Sequence, residues 1–261
     1  MDLLQERNVN LPDGEKVESG LNFRNTFHLH PNFAADLFIP CGGRPSSINI
    51  NNWQRYLDDN GNPRFKVIAE GANLFITQQA RLRLEERGVI LYKDASANKG
   101  GVTSSSLEVL ASLALTDEEY ENLMCIKKGA VTAFRRKYVS QILEIIRENA
   151  RLEFDIIWKE NEAKKIPRAV LTDLISEKIN LIKDAVGKSD LVSDRALFKK
   201  VTQCCIPRVL VEEIGFPKII KRVPMTYLKA LFASELASRY VYQYGLDANE
   251  INFYEFLNKA R

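Results

Sequence analysis

Few cysteines and histidines occur in this chain of 261 residues, which has four of the former and two of the latter. The cysteines are too sparse and too irregularly spaced for a disulfide framework. His28 and His30 have the spacing of a metal pair, but no third ligand accompanies them in the sequence. We therefore predict no metal site and a reducing compartment, which is the cytoplasm or the mitochondrial matrix.

Basic and acidic residues are also nearly balanced. The chain has 37 Lys and Arg residues and 34 Asp and Glu residues, which gives a net charge of +3. This balance provides no basic surface for nucleic acid or an anionic membrane. No apolar run approaches the roughly 18 residues of a membrane span, and the polar N-terminal segment lacks the apolar core of a signal peptide. The 45% hydrophobic content suits a globular protein with a sizeable core.

Three regions follow one another along the chain. Residues 1–35 contain several Pro and Gly breakers and predict an irregular lead-in, with a short extended piece around 21–27. Residues 36–115 alternate between apolar strands and helical connectors, which is typical of a parallel sheet. Residues 116–261 are predicted to be all-helical, beginning with the capping box TDEE at 116–119.

The predicted strands of the middle region are short and apolar, as in strands buried on both faces of a parallel sheet. They lie at 37–39, 67–69 and 89–92. Thr77 is a predicted N-cap for a helix over 78–87, and Gly88 is placed to end that helix. The fold class is therefore α/β, with part of a parallel sheet followed by a helical region.

Polar, glycine-bearing segments follow each predicted strand: DLFIPCGG at 36–43, KVIAEGAN at 66–73 and ILYKDASANKGGVTSSSLEVL at 90–110. Gly100 and Gly101 are expected to take backbone dihedrals barred to other residues and so admit a ligand close to the chain. The carboxyl ends of parallel strands lie at one edge of a sheet, where ligands bind in open α/β folds. The three segments together therefore predict one shared site.

The strings IPCGG, AEGANLFIT and DASANKGGVTSSSLEVLA resemble the second half of the Rossmann-like dinucleotide-binding domain of glutamate dehydrogenases. The string KDASANKGGVTSSSLEVLASLAL is most similar to the large NAD-specific members. The helical segments YVSQILEIIRENARLEFDIIWKE and PMTYLKALFASELASRYVYQYG resemble the C-terminal region of the same enzymes. Lys99 stands where the small hexameric members have a small residue.

The resemblance implies cofactor roles for four residues. Pro40 and Cys41 would lie beside the ribose of NAD, and Asn73 would hydrogen-bond the nicotinamide ribose. Asn98 would hold the nicotinamide side of the cofactor. An alternative for Asn73 and Asn98 is turn chemistry, in which the side chain satisfies local donors and the backbone is left-handed.

The resemblance also places Val102 and Ser105 in the substrate pocket, with Ser105 donating to the side-chain carboxylate of L-glutamate. The reaction it implies is oxidative deamination to 2-oxoglutarate and ammonia with NAD as cofactor, in a homo-oligomeric enzyme. A leucine or phenylalanine dehydrogenase is a rival, although a hydroxyl in the pocket suits a carboxylate better than an apolar side chain.

No catalytic residue is predicted in this chain, because the resemblance places the catalytic lysine and aspartate of the family in an upstream domain. The G-x-G-x-x-G turn that grips a pyrophosphate is also absent from the sequence. We therefore expect a C-terminal portion of a longer enzyme that is inactive by itself. The alternative is a truncated non-catalytic fragment or a helical oligomerisation module.

Overall fold

The computed structural model describes residues 5–42, 44–126 and 129–260. The chain forms two compact units, and the division falls between Asn98 and Lys99. The helix that follows Lys99 is thus part of the second unit, together with the rest of the helical region.

The first unit opens with a small hairpin and a helix. Strands β1 (Arg7–Asn10) and β2 (Lys16–Ser19) pair antiparallel and lead into helix α1 (Gly20–Thr26). Ser19 caps this helix, because its side chain accepts a hydrogen bond from the backbone of Asn22 at 3.3 Å. The prediction of an extended piece over 21–27 is therefore wrong.

A parallel sheet of three strands follows, as predicted. Strands β3 (Ala35–Phe38), β4 (Phe65–Ala69) and β5 (Ile90–Tyr92) lie side by side in that order. Leu37 and Ile39 are about half exposed, at 49% and 51%, so the predicted burial on both faces is wrong for the first strand. In the described chain, β3 also lies at an edge of this sheet, with β4 as its neighbour.

Helix α2 (Gln78–Glu86) connects β4 to β5 and confirms the predicted caps. The Thr77 side chain accepts from the backbone N–H of Ala80, and Gly88 follows the helix with a φ of +87°. Ala80 and Leu84 are fully buried, and so are Ile68 of β4 and Leu91 of β5. This core positions the carboxyl ends of the strands.

The predicted glycine turn at 98–101 is largely helical. A short helix α3 (Asp94–Ala97) precedes Asn98, and helix α4 (Gly100–Ala114) begins directly after Lys99. The φ angles of Gly100 and Gly101 are not positive, so the expectation of dihedrals barred to other residues is wrong. The residues of α4 after Gly101 include no Gly or Pro, and the helix extends back through both glycines. The backbone N–H of Thr103 donates to the carbonyl of Lys99 at 3.0 Å.

The second unit is helical in its described residues, as predicted. After α4 come α5 (Asp117–Leu123), α6 (Ala133–Lys164), α7 (Arg168–Lys188), α8 (Arg195–Cys205), α9 (Arg208–Ile214), α10 (Phe216–Arg222), α11 (Met225–Tyr244) and α12 (Glu250–Ala260). Thr116 and Glu119 form the predicted capping box of α5. Within the described ranges, no helix combines the length and the apolar character needed to cross a bilayer.

Two apolar clusters hold the helices together. One joins α4, α6, α9 and α10 through residues such as Leu110, Tyr138 and Leu210. The other joins α7, α8 and α11 through Val186, Leu197 and Phe232. Helix α4 therefore has a buried face that packs in the first cluster and an opposite face that is open.

Candidate functional site

The carboxyl ends of the three parallel strands meet in the first unit. The backbone of Ala72, after β4, donates to the carbonyl of Pro40, after β3, at 2.7 Å. The backbone of Glu70 donates to the carbonyl of Tyr92 at the end of β5 at 3.0 Å. The predicted convergence is therefore present for the ends of the three strands in the first unit, whereas Gly43 lies outside the described residues.

Gly71 allows two of these strand ends to approach each other closely. A Cβ atom at this position would lie 3.0 Å from Sγ of Cys41 and 3.2 Å from the carbonyl oxygen of Pro40. A larger residue would therefore separate the segments. Pro40 is buried, whereas Cys41 and Gly71 are exposed, so the contact leaves an open surface above it.

Asn73 and Asn98 also come together, although they are 25 positions apart in the sequence. Nδ2 of Asn98 donates to Oδ1 of Asn73 at 2.5 Å and to the carbonyl of Gly71 at 3.3 Å. Neither asparagine has a positive φ, so the left-handed backbone of the alternative interpretation is wrong. The two amides join the turn after β4 to the end of α3.

A buried ion network beneath this turn was missed by the sequence reasoning. Arg81 of α2 donates through Nε and Nη2 to the two carboxylate oxygens of Glu70, at 2.7 and 2.9 Å. Its Nη2 also lies 3.3 Å from Oδ1 of Asp94. All three residues are buried. The available signal was the position of Arg81 beside Ala80 and three residues before Leu84, on the apolar face of α2.

Burial and charge oppose each other in this network. Burial raises the pKa of Glu70, while the Arg81 guanidinium acts in the opposite direction. A bidentate contact with arginine satisfies both carboxylate oxygens, which a buried carboxylate requires. The network therefore connects α2 to the ends of β4 and β5 through fully partnered charges.

Leu74 shows what this network holds in place. Its φ of +57° is unusual for a residue with a branched apolar side chain, and that side chain is 63% exposed. The backbone N–H of Leu74 donates to Oδ2 of Asp94 at 2.7 Å, and its carbonyl accepts from the backbone of Ser46 at 2.8 Å. Asp94 thus keeps the turn that carries Asn73 in a strained conformation.

The predicted substrate residues lie in the second unit. Val102 and Ser105 are exposed and three residues apart on one face of α4. They line an open groove with Gly101, Ser106, Val109 and Tyr227. The hydroxyl of Tyr227 donates to the carbonyl of Ser106 at 2.9 Å, so α11 contacts this part of α4 directly.

The structure therefore groups four predicted site residues in the first unit and two in the second. Pro40, Cys41, Asn73 and Asn98 lie at one sheet edge, whereas Val102 and Ser105 share a helix face; their roles stay predictions.

His30 contacts a carboxylate oxygen of Glu15 at 2.9 Å. His28 packs against Phe75, and burial lowers its pKa.

Comparisons with known proteins give a consistent set of relatives. The sequence pattern of the family described as Glutamate/Leucine/Phenylalanine/Valine dehydrogenase matches residues 5–165. Glutamate dehydrogenase 2 of Dictyostelium discoideum is 52% identical over 256 residues, covering 98% of this chain. The NAD-specific glutamate dehydrogenases of Neurospora crassa and Saccharomyces cerevisiae are 47% and 41% identical over 98% and 95% of the chain.

The chain spans only about a quarter of the length of these curated relatives, namely 25%, 24% and 24% in the same order. No solved structure gives a significant match.

Proposed function

The chain belongs to the glutamate/leucine/phenylalanine/valine dehydrogenase family, and from this membership we propose that it is part of an NAD-dependent glutamate dehydrogenase. The proposed reaction converts L-glutamate and water to 2-oxoglutarate and ammonia with loss of a hydride from the α-carbon, and NAD, when bound, would supply the hydride acceptor. The names of the relatives support both glutamate and NAD. The role proposed for this chain is to bind the nicotinamide side of the cofactor and to contact the substrate.

The observation that supports this proposal most directly is the meeting of Asn73 and Asn98 at the carboxyl edge of the sheet. An amide group donates and accepts hydrogen bonds, as a ribose hydroxyl and a carboxamide require of their partners. The same edge is the general position of ligands in open α/β sheets. The lack of a side chain at Gly71 lets the turn after β4 lie directly against Pro40 and Cys41, so that these residues share one edge.

The chemical contribution of these residues is binding and orientation. Asn98 is held by two acceptors, so its amide plane has a defined direction before any ligand arrives. A fixed donor and acceptor at the sheet edge restricts the rotation of the nicotinamide ribose, and orientation of this kind lowers the entropic part of a barrier. The buried network of Arg81 and Asp94 supports that geometry from below.

Substrate contact is proposed for Val102 and Ser105. The hydroxyl of Ser105 is exposed on α4 and is available to donate to the distal carboxylate of glutamate. The family description covers four amino acids, three of them apolar. A hydroxyl favours the carboxylate among these four, since an apolar side chain offers it no partner.

The cofactor role is tested by Asn73→Ala and Asn98→Ala in the full-length protein. Each change removes a neutral hydrogen bond worth about 0.5 to 1.5 kcal/mol, so we expect the KM for NAD to rise several-fold. Steady-state kinetics with glutamate held saturating measure this rise. The control is Asn51→Ala, which changes an exposed asparagine elsewhere in the first unit and is expected to leave the KM for NAD unchanged.

The turn-chemistry interpretation makes the opposite prediction. If both variants keep the wild-type KM for NAD but melt at a lower temperature, the two amides only stabilise the turn. A rise in KM for NAD without a change in melting temperature supports the cofactor role.

A further inference from the structure

Lys99 precedes α4 and pairs with a carboxylate in the interior of α6. Its Nζ lies 2.6 Å and 2.7 Å from the two carboxylate oxygens of Glu153, whose side chain is only 3% exposed. The hydroxyl of Tyr242, in α11, donates to Oε2 of the same carboxylate at 3.1 Å. The start of α4 is thus joined to two other helices at one buried charge.

The first turn of α4 also lies close to α6. A Cβ atom at Gly100 would be 3.3 Å from Cγ2 of Ile146, which precedes Glu153 by two helical turns. At the described start of α4, no side chain forms a capping hydrogen bond. Besides hydrogen bonds within the helix itself, the ion pair and this close contact hold the first turn against α6.

Farther along, α4 is fixed by backbone contacts. The buried hydroxyl of Tyr138, in α6, donates to the carbonyl of Leu107 at 2.6 Å, and Tyr227 donates to that of Ser106. Val102 and Ser105 lie between these contacts and the Lys99 ion pair. The ion pair is consequently placed to set the direction of the turn that carries Val102.

We propose that Lys99 and Glu153 are positioning residues for the substrate, because their ion pair orients the helix turn that presents Val102 and Ser105. This inference rests on the proposed function. A buried carboxylate that loses its counter-charge is strongly unfavourable, so neutralising Lys99 alone loosens the start of α4. A misplacement of about 1 Å at a substrate contact lowers the rate on the order of a hundredfold.

Kinetics of the full-length protein test this proposal. Lys99→Met is expected to lower kcat/KM for glutamate about ten- to a hundredfold, mainly through KM, while the KM for NAD stays unchanged. Lys99→Arg keeps the charge and is expected to restore most of the activity. The double variant Lys99→Met with Glu153→Gln is expected to be no worse than Lys99→Met, because the buried side chain at position 153 is then neutral.

A matched control is available on α6 itself. Arg151 forms exposed ion pairs with Glu148 at 3.0 Å and with Asp155 at 2.8 Å. Arg151→Met removes a charge two residues from Glu153 without touching α4. We expect this variant to keep the wild-type KM for glutamate, since exposed ion pairs contribute little.

Hydrogen exchange of the same proteins supplies a readout independent of activity. Peptides from residues 99–106 are expected to exchange faster in Lys99→Met than in wild type or Arg151→Met, while peptides from α2 keep their protection. Unchanged exchange in 99–106 would overturn the proposal. An equal rise in KM for NAD and for glutamate would also overturn it, because the effect would then not be specific to the substrate side.

The failure of this inference differs from the failure of the proposed function. An active wild type whose Lys99→Met variant keeps the KM for glutamate contradicts the inference alone. A wild-type full-length protein that does not oxidise glutamate contradicts the proposed function, and substrate positioning by Lys99 fails with it.

Discussion

At the scale of single residues, the side chains of Asn73 and Asn98 at the sheet edge form a hydrogen bond with each other. Asn98 donates to Asn73 and to the backbone of Gly71, so a change at one position disturbs the other. The effects of Asn73→Ala and Asn98→Ala are therefore expected to be non-additive in the double variant. Ser105, by contrast, is exposed on a helix face, and its proposed role is separate from theirs.

Ser105→Ala provides the residue-scale prediction on substrate choice. A hydrogen bond to a charged partner is worth about 1.5 to 3 kcal/mol, so kcat/KM for glutamate should fall on the order of ten- to a hundredfold. The kcat/KM for norvaline, which lacks the distal carboxylate, is expected to fall much less. The measurement is the ratio of kcat/KM for the two substrates in the full-length protein.

Ser104→Ala is the matched control for this change. The hydroxyl of Ser104 donates to the carbonyl of Gly101 at 2.9 Å, which is a local bond within α4. We expect Ser104→Ala to leave the substrate ratio unchanged. An equal fall in kcat/KM for glutamate and for norvaline in Ser105→Ala would show that Ser105 only stabilises the helix.

At the scale of elements, α2 supports the candidate site through one buried side chain. Arg81 reaches from this helix to Glu70 at the end of β4 and to Asp94 at the start of α3. The strained turn at Leu74 depends on the same Asp94. One helix residue therefore connects the two segments that carry Asn73 and Asn98.

Arg81→Met is expected to destabilise the first unit by about 3 to 5 kcal/mol, because it leaves two buried carboxylates without their counter-charge. Urea unfolding followed by tryptophan fluorescence measures this loss. Trp53 lies in the first unit and Trp158 in the second, so a Trp158→Phe background makes the signal specific to the first unit.

Arg83→Met in the same background is the control. Arg83 lies two residues away on α2 and pairs with Glu86 at 2.9 Å, with both side chains more than half exposed. An exposed pair of this kind contributes about 0 to 1 kcal/mol. Similar losses in the two variants would show that the network is not the support described here.

At the scale of the whole molecule, the chain combines a partial parallel sheet with a long helical region, in two compact units. Its relatives are about four times as long, since it spans 23 to 25% of them. The complete reaction, its substrates and any oligomer are therefore proposals for the full-length protein. The chain itself contains the sheet edge with Asn73 and Asn98, and helix α4 with Ser105.

The 261-residue chain alone is predicted to show no turnover of glutamate with NAD. It has no G-x-G-x-x-G turn for the pyrophosphate, and positioning residues do not replace general acid and base groups. The absorbance of NADH in an assay of the purified chain measures turnover. Any rate above that of the enzyme-free control would contradict this prediction and place catalytic groups within the chain.

Much of the local structure was predictable from the sequence alone, because strand and helix signals depend on neighbouring residues. The three strands, the Thr77 cap of α2 and the capping box at Thr116 agree with the predictions. The shared edge for Pro40, Cys41, Asn73 and Asn98 was predictable too, since parallel strands place their carboxyl ends together. The helix at 20–26 was missed, because the single cap at Ser19 is a weak signal among breakers.

Only the tertiary structure decided which charges are buried and which residues they orient. Glu70 and Asp94 look like ordinary surface residues in the sequence, and Lys99 and Glu153 are 54 positions apart. Their pairing depends on how helices pack, which local periodicity does not encode. At the candidate site, the left-handed conformation likewise falls on Leu74 rather than on Asn73 or Asn98, because Asp94 and Ser46 bind the backbone of Leu74 from distant parts of the chain.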